Sequence, residues 1–375
     1  MISVPNLPER RRSSRLRQNN ARIKRTHREP LLTSGTQLEP PPCAWRTASA
    51  YAPEQPNIGI IRGPVDGYSL VRRFAVALLA GALVARPVVG AVLDIPFDFS
   101  HRAIGIDVTV HGTPLFFLLD TGVDPSVIAA ARAESLGLKV DRASGGEASG
   151  YGESTAAPIY PSTIDGLAIH GRSFAPIDAL AADTTAISLG YGRSIDGVLG
   201  YSFLKDKIML INYAAQRVWI LDRAADAPPV VRLCRTHWST AMQFLKGDNT
   251  PIIPNFRFGS SSGPITLDTG SNEGISLFDR ALESPEIKAA LVEQGEIEHT
   301  GARGVSKSKT YSFNAPVGFG PFSLPAGQGV DRLKASPDDK RFANIGNRVF
   351  ADMRLTILLN YRAKKLTFYG SCPSS

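Results

Sequence analysis

Two stretches of this chain repeat one another, and that repeat limits the possible folds more than any other feature. Residues 103–122 run through a turn at His111-Gly112-Thr113-Pro114 into the apolar run Leu115 to Leu119 and end in Asp120-Thr121-Gly122. Ile104, Ile106, Val108 and Val110 alternate with smaller or polar residues, which is the period of a strand. The unbroken run that follows reads as a buried strand. Ala129 to Leu136 then reads as a short helix closed by Gly137. Further on, Ile252 to Phe258, a turn over Gly259 to Gly263, and Pro264 to Leu267 lead into Asp268-Thr269-Gly270, 148 residues after the first such tripeptide. Helical sequence follows from Phe278 to Gln294, interrupted at Pro285.

The agreement continues downstream. Asp196-Gly197-Val198-Leu199-Gly200 is matched by Asn344-Ile345-Gly346, and Phe203-Leu204 by Val349-Phe350. Asn212-Tyr213 and Asn360-Tyr361 are again 148 apart. Each is followed by a turn and one last strand, Arg217 to Leu221 and Lys365 to Tyr369. The pattern is a tandem duplication of an all-β unit of roughly 130 residues with one or two short helices. Ala224-Ala225-Asp226-Ala227-Pro228-Pro229 has linker composition, so the lobes are read as 92–225 and 226–375.

With 375 residues, 43% of them hydrophobic, the chain can fill two cores. Its net charge of +8 is misleading. Residues 1–91 hold 14 Lys and Arg against 5 Asp and Glu, whereas 92–375 hold 28 against 29. The duplicated part therefore has no charge excess that would bring in nucleic acid. Residues 1–70, rich in Arg, Pro, Ser, Asn and Gln, read as a disordered basic extension or as sequence never translated. Residues 71–91 have the layout of a signal peptide. Arg72-Arg73 is followed by an apolar run from Phe74 to Ala85, too short to span a bilayer, and by the small residues Gly90-Ala91. Such a segment belongs at an N-terminus, which places the expected start near Val71 and the mature protein in the periplasm or outside the cell, without stable membrane insertion. Three cysteines are too few for a disulfide scaffold or a four-thiolate zinc site. In an oxidising compartment Cys234 and Cys372 could close the second half as one disulfide; two buried thiols are the alternative.

Each half resembles a retropepsin-like aspartic protease domain, over residues 100–222 and 250–370. The residues that carry the resemblance are the apolar strand into Asp-Thr-Gly, the Gly-rich segment some thirty residues later, and the apolar-apolar-Gly before the last strands. The whole is similar to duplicated bacterial aspartyl protease family proteins. The resemblance implies two retropepsin/pepsin-like β-barrel lobes in tandem, related by a pseudo-two-fold axis with the active site between them. It implies Asp120 and Asp268 as a catalytic dyad that shares one proton, activates a water and cuts a peptide or protein substrate with no metal and no cofactor. One chain supplies both carboxylates, so a monomer suffices.

The same resemblance places Thr121 and Thr269 in hydrogen bonds across the axis, Gly122 and Gly270 in tight turns, and Ser271 beside Asp268. Val123 departs from the Ser or Ala expected there, and Asn344 from the apolar residue. Gly150, Tyr151 and Gly152 in one half, and Gly301 and Gly304 in the other, are flap and substrate-contact candidates. A non-catalytic peptide-binding protein of the same fold is the alternative, with Val123 and Asn344 as signs of decay. Gly259-Ser260-Ser261-Ser262-Gly263 matches a nucleophile elbow but joins two strands rather than a strand and a helix. The six histidines show no ligand spacing, and Asp196 reads as a turn residue.

Overall fold

The computed structural model describes residues 2–3, 92–150, 157–245, 247, 249–301, 304–334 and 339–372. The signal-peptide reading, Tyr151 and Gly152 lie outside the described residues, as does the extension apart from Ile2 and Ser3, which pair antiparallel with Gly150 and Ser149. In the first half the strands are β1 (Leu93–Pro96), β2 (Gly105–Val110), β3 (Thr113–Leu119), β4 (Ser126–Ala129), β5 (Gly146–Glu147), β6 (Pro158–Ile164), β7 (Leu167–Ile169), β8 (Arg172–Ser173), β9 (Ile177–Ala182), β10 (Gly197–Leu199), β11 (Ile208–Asn212) and β12 (Arg217–Leu221). Helices α1 (Ala130–Ser135), α2 (Thr185–Tyr191) and α3 (Tyr201–Leu204) sit among them.

The second half supplies β13 (Thr236–Ala241), β14 (Ile252–Phe258), β15 (Ser261–Leu267), β16 (Ile275–Leu277), β17 (Leu291–Gly301) and β18 (Gly304–Phe313). It continues with β19 (Val317–Phe319), β20 (Phe322–Leu324), β21 (Gln328–Arg332), β22 (Ala343–Ile345), β23 (Thr356–Asn360) and β24 (Lys365–Gly370). Its helices are α4 (Pro285–Ala290) and α5 (Asn347–Asp352).

The duplication is carried through strand by strand. The first lobe's sheet has the order β8-β7-β2-β3-β10-β4-β9-β6-β5. The second lobe's sheet has the order β20-β19-β14-β15-β22-β16-β21-β18-β17, which is the same sequence of equivalents. In each, the strand that ends in Asp-Thr-Gly lies parallel to a short strand from the apolar-apolar-Gly segment, β3 on β10 and β15 on β22. Strands buried on both faces need near-continuous apolar sequence, and Leu115 to Leu119 supplies it.

A third sheet, β13-β24-β23-β11-β12-β1, is built from both halves. Its central pair, β11 with β23, is antiparallel and sets Leu210 opposite Leu358. These two residues are 148 apart, the spacing of Asp120 and Asp268 (358 − 210 and 268 − 120), so the pseudo-two-fold passes through this pair. Ile211, Leu210, Ile357 and Leu359 are fully buried and weld the halves along this seam. The second lobe's core is aromatic, with Phe256, Phe258, Phe313, Phe319, Phe350 and Phe368 in edge, tilted and stacked contacts.

Three local expectations are corrected. The helical reading of 278–294 holds for Pro285–Ala290, where the Ser284 side chain accepts from the Ile287 N–H as a cap and Pro285 takes the first turn. Beyond Ala290 the chain turns into β17, because Val292, Glu296 and Ile297 pair with β18 in a long hairpin. The turn read over Gly259 to Gly263 shrinks to Gly259 and Ser260, and Ser261 already belongs to β15. Asp196 is more than a turn residue. It is buried, accepts from the Phe116 N–H at 3.0 Å and from Arg132 Nε at 2.7 Å, and so ties β3 and α1 to the start of β10.

Cys234 and Cys372 are joined as a disulfide, with Cα atoms 4.0 Å apart. The bond fastens the C-terminal end to the segment leading into β13. Among the described residues no helix is long and apolar enough to cross a membrane.

Candidate active site

The site starts from two equivalent strand ends. Asp120 follows β3 and its N–H donates to the Leu199 carbonyl at 3.0 Å; Asp268 follows β15 and its N–H donates to the Ile345 carbonyl at 3.0 Å. Each carboxylate is thus carried on a rigid parallel strand pair rather than on a free loop. Both are almost fully buried, Asp120 at 4% and Asp268 at 1% exposure.

The loops then interlock. The Thr121 N–H donates to Thr269 Oγ1 at 3.0 Å, and the Thr269 N–H to Thr121 Oγ1 at 3.1 Å. The Thr121 hydroxyl donates to the Leu267 carbonyl at 2.7 Å, and the Thr269 hydroxyl to the Leu119 carbonyl at 2.9 Å. Four buried hydrogen bonds therefore cross the axis in two symmetric pairs, and both hydroxyls donate and accept. The turn glycine lets the halves approach: a Cβ at Gly270 would lie 2.0 Å from Asp120 Oδ2. Gly122 and Gly270 each donate a backbone N–H to the aspartate of their own loop, at 2.6 and 3.0 Å.

Burial, and then the neighbouring Asp268 carboxylate, push the Asp120 carboxyl up from 3.8 to about 7. The two groups line the floor of one cleft of about 210 Å³. Its walls bring Ile187 and Tyr191 of α2 in the first lobe against Glu298, His299 and Gly301 of β17 in the second. With the Asp120 carboxyl raised beside a second carboxyl, the cleft is equipped to take a proton from water on one side and give one on the other.

Residues 106–203 match a family model described as aspartyl protease. Over that stretch the first lobe is similar to the aspartyl protease family. No curated protein sequence matches the chain. Among solved structures, the chain is similar to basic 7S globulin from soybean, with 10% identity, a TM-score of 0.42 and coverage of 76% of this chain and 95% of that one. It is likewise similar to aspartic proteinase from Irpex lacteus, with 14% identity, a TM-score of 0.44 and coverage of 75% of this chain and 97% of that one. The architecture is two lobes of matching strand order, mostly β with few short helices.

The remaining candidates fall out as follows. Ser271 supports Asp268 through its backbone N–H, 3.2 Å from Oδ1, while its hydroxyl accepts from the Glu273 N–H. Gly301 and Gly304 face each other at the tip of the β17–β18 hairpin, and Gly301 lines the cleft. In the first lobe, Gly146–Glu147 pairs with β6, and Gly150 ends the described part of that segment.

Three polar features escaped sequence reasoning. Asn344, counted there as a departure, donates from Nδ2 to Asp268 Oδ2 at 2.8 Å. Asn347 donates to the carbonyls of Thr269 and Ser271 at 2.7 and 3.0 Å and accepts from the Tyr213 hydroxyl of the other half at 2.8 Å. His299 stands between Asp331 and Glu273, with Nε2 at 3.2 Å and Nδ1 at 3.6 Å from their carboxylates. These are ion-pair contacts rather than aligned hydrogen bonds. Asp331 and then Glu273 raise the His299 imidazolium to about 9, and His299 holds the Glu273 carboxyl below its ordinary value. A polar residue inside an apolar run, as in Ala343-Asn344-Ile345, was the available signal for the first, and Asn347, between Gly346 and Arg348, offered no such pattern. His299 carries none, because its partners lie 26 and 32 residues away (299 − 273 and 331 − 299).

Proposed function

We propose that the chain is an exported aspartic-type endopeptidase that hydrolyses peptide bonds with Asp120 and Asp268. The observation that carries this is the pair of buried carboxyls at the floor of one cleft, locked across the pseudo-two-fold by Thr121 and Thr269. The ionised member takes a proton from a water, whose oxygen attacks the scissile carbonyl carbon. The protonated member donates to the carbonyl oxygen as it becomes a hydroxyl. The substrate is a peptide laid in the cleft between α2 and the β17–β18 hairpin. Residues 71–91 supply the export signal in this reading, and the Cys234–Cys372 disulfide fits an oxidising compartment.

Asp120→Asn and Asp268→Asn, made separately, keep the shape and remove the shared proton. Against a mixed peptide library from acidic to neutral pH, each is expected to abolish cleavage while largely sparing peptide binding. A wild-type chain that binds peptides and cuts none of them would leave the non-catalytic binding reading in its place.

A further inference from the structure

We propose that Asn344 is a positioning residue that keeps Asp268 ionised and thereby assigns the shared proton to Asp120, a role that rests on the endopeptidase reading. The two halves obey their two-fold closely at the aspartates, yet the donors around them are unequal. Asp268 Oδ1 accepts the N–H groups of Gly270 and Ser271, and its Oδ2 accepts Asn344 Nδ2. Among the described residues the Gly122 N–H is the one N–H group that Asp120 accepts. Three N–H donors on one carboxylate favour its charged form.

The inequality is built into equivalent positions of the repeat. Asn344 lies in β22 and Val198 in β10, each two residues before the glycine that ends the segment. Val198 is buried and its side chain offers no donor. Asn344 is 2% exposed, and its Oδ1 has no hydrogen-bond partner among the described residues. A buried amide with one orphaned oxygen is costlier than the valine that the other half uses at this place. That cost is what a residue kept for its Nδ2 bond to a charge would carry.

Among the described residues the other titratable groups near the pair are two phenols and, farther off, groups along the cleft. Tyr213 lies near Asp268 and gives its hydroxyl to Asn347; Tyr361 lies near Asp120, with a hydroxyl that has no partner among the described residues. Burial raises both phenols, so both stay neutral. Farther along the cleft stand Tyr191, Glu298, and Glu273 with its partner His299. The upward displacement of Asp120 is in the same direction as the proposal.

The reaction then has a fixed sense. Asp268 takes a proton from water as the water oxygen bonds to the carbonyl carbon, and Asp120 gives its proton to the carbonyl oxygen. Collapse returns a hydroxyl proton to Asp120 and passes the Asp268 proton to the departing nitrogen as the C–N bond breaks. Both carboxyls regain their starting states.

The test is a titration of the two side-chain carboxyls by carbon-13 NMR on the full chain labelled at aspartate, assigned with Asp120→Asn and Asp268→Asn. The wild-type chain is expected to show Asp268 with the lower midpoint. Asn344→Val, which copies the first half, and Asn344→Leu, closer in volume, are expected to raise that midpoint by about one pH unit, tenfold in the ionisation constant. The acid limb of kcat/KM moves with it. Asp120 titrating below Asp268 in the wild type overturns the proposal, and that result does not depend on an Asn344 variant folding. Unchanged midpoints in a folded Asn344 variant overturn it as well, even if cleavage is intact. Midpoints that behave as expected in a chain that cuts nothing support the proton assignment and remove the endopeptidase reading instead.

Discussion

Replacing Asp120 by asparagine should stabilise the fold above neutral pH while it removes activity. Asp120 is buried and its carboxyl is raised from 3.8 to about 7 by burial and by Asp268. Between those two values the folded chain holds a proton that the unfolded chain has lost, so rising pH favours unfolding across this window. The stabilising contribution is complete below about 4 and is spent above about 7. Taken at face value the window is worth about 4 kcal/mol, from roughly 1.4 kcal/mol per pH unit. Because the proton is shared with Asp268, about 2 to 4 kcal/mol is expected. The amide of the Asp120→Asn variant brings no charge into the core, so the variant should escape this loss. Urea unfolding at a series of pH values from about 4 to 8 reads the difference directly. Wild type and Asp120→Asn should be close at the acid end, with the variant ahead by the stated amount at the alkaline end. A gap that stays constant within about 0.5 kcal/mol over the whole range would refute the reasoning, because it would mean that Asp120 does not gain a proton on folding.

Thr269→Val removes one donor and one acceptor from the interlock and leaves the Leu119 carbonyl and the Thr121 N–H unpaired; it should cost about 2 to 4 kcal/mol in urea unfolding and most of the cleavage activity, and a loss under 0.5 kcal/mol would contradict the geometry. Reduction of Cys234–Cys372, or Cys372→Ser, opens a link between residues 138 apart and should lower stability by about 2 to 4 kcal/mol, with no change expected if the thiols are free in solution. His299→Gln should destabilise the chain most below about pH 6.5, where the imidazolium held by Asp331 and Glu273 contributes fully, and the difference should fade as pH rises through about 9. A loss of equal size at about pH 6 and pH 10 would show that His299 acts by shape rather than charge.

Much of the architecture could be read from the chain because the repeat offers two looks at each element. The strand into Asp120 is unmistakable once the strand into Asp268 is set beside it, and the threonines and glycines follow from the same register. The unread parts are those in which the halves differ or meet. The β11–β23 seam pairs residues 144 to 152 apart, and no local pattern announces a partner at that distance. Pro285 to Gln294 has helical composition, yet after Ala290 the tertiary pairing of β17 with β18 overrides it. Asn344 looked like erosion of a motif because the comparison was with an average pattern. Its hydrogen bond to Asp268 exists only once β15 and β22 are parallel neighbours.

The shared central sheet also carries a history in its geometry. A first half made without its sequel would expose the edge of β11, a row of unpaired backbone groups that readily recruits another strand. If β11 met a second copy of itself as it now meets β23, Leu210 would lie opposite Leu210. The axis so created would run between two copies of Asp120, and two Thr121 side chains would interlock over it. The present chain is thus a dimer written into one polypeptide. With both halves in one polypeptide the two need not match, and one holds valine where the other holds the asparagine that touches a carboxylate.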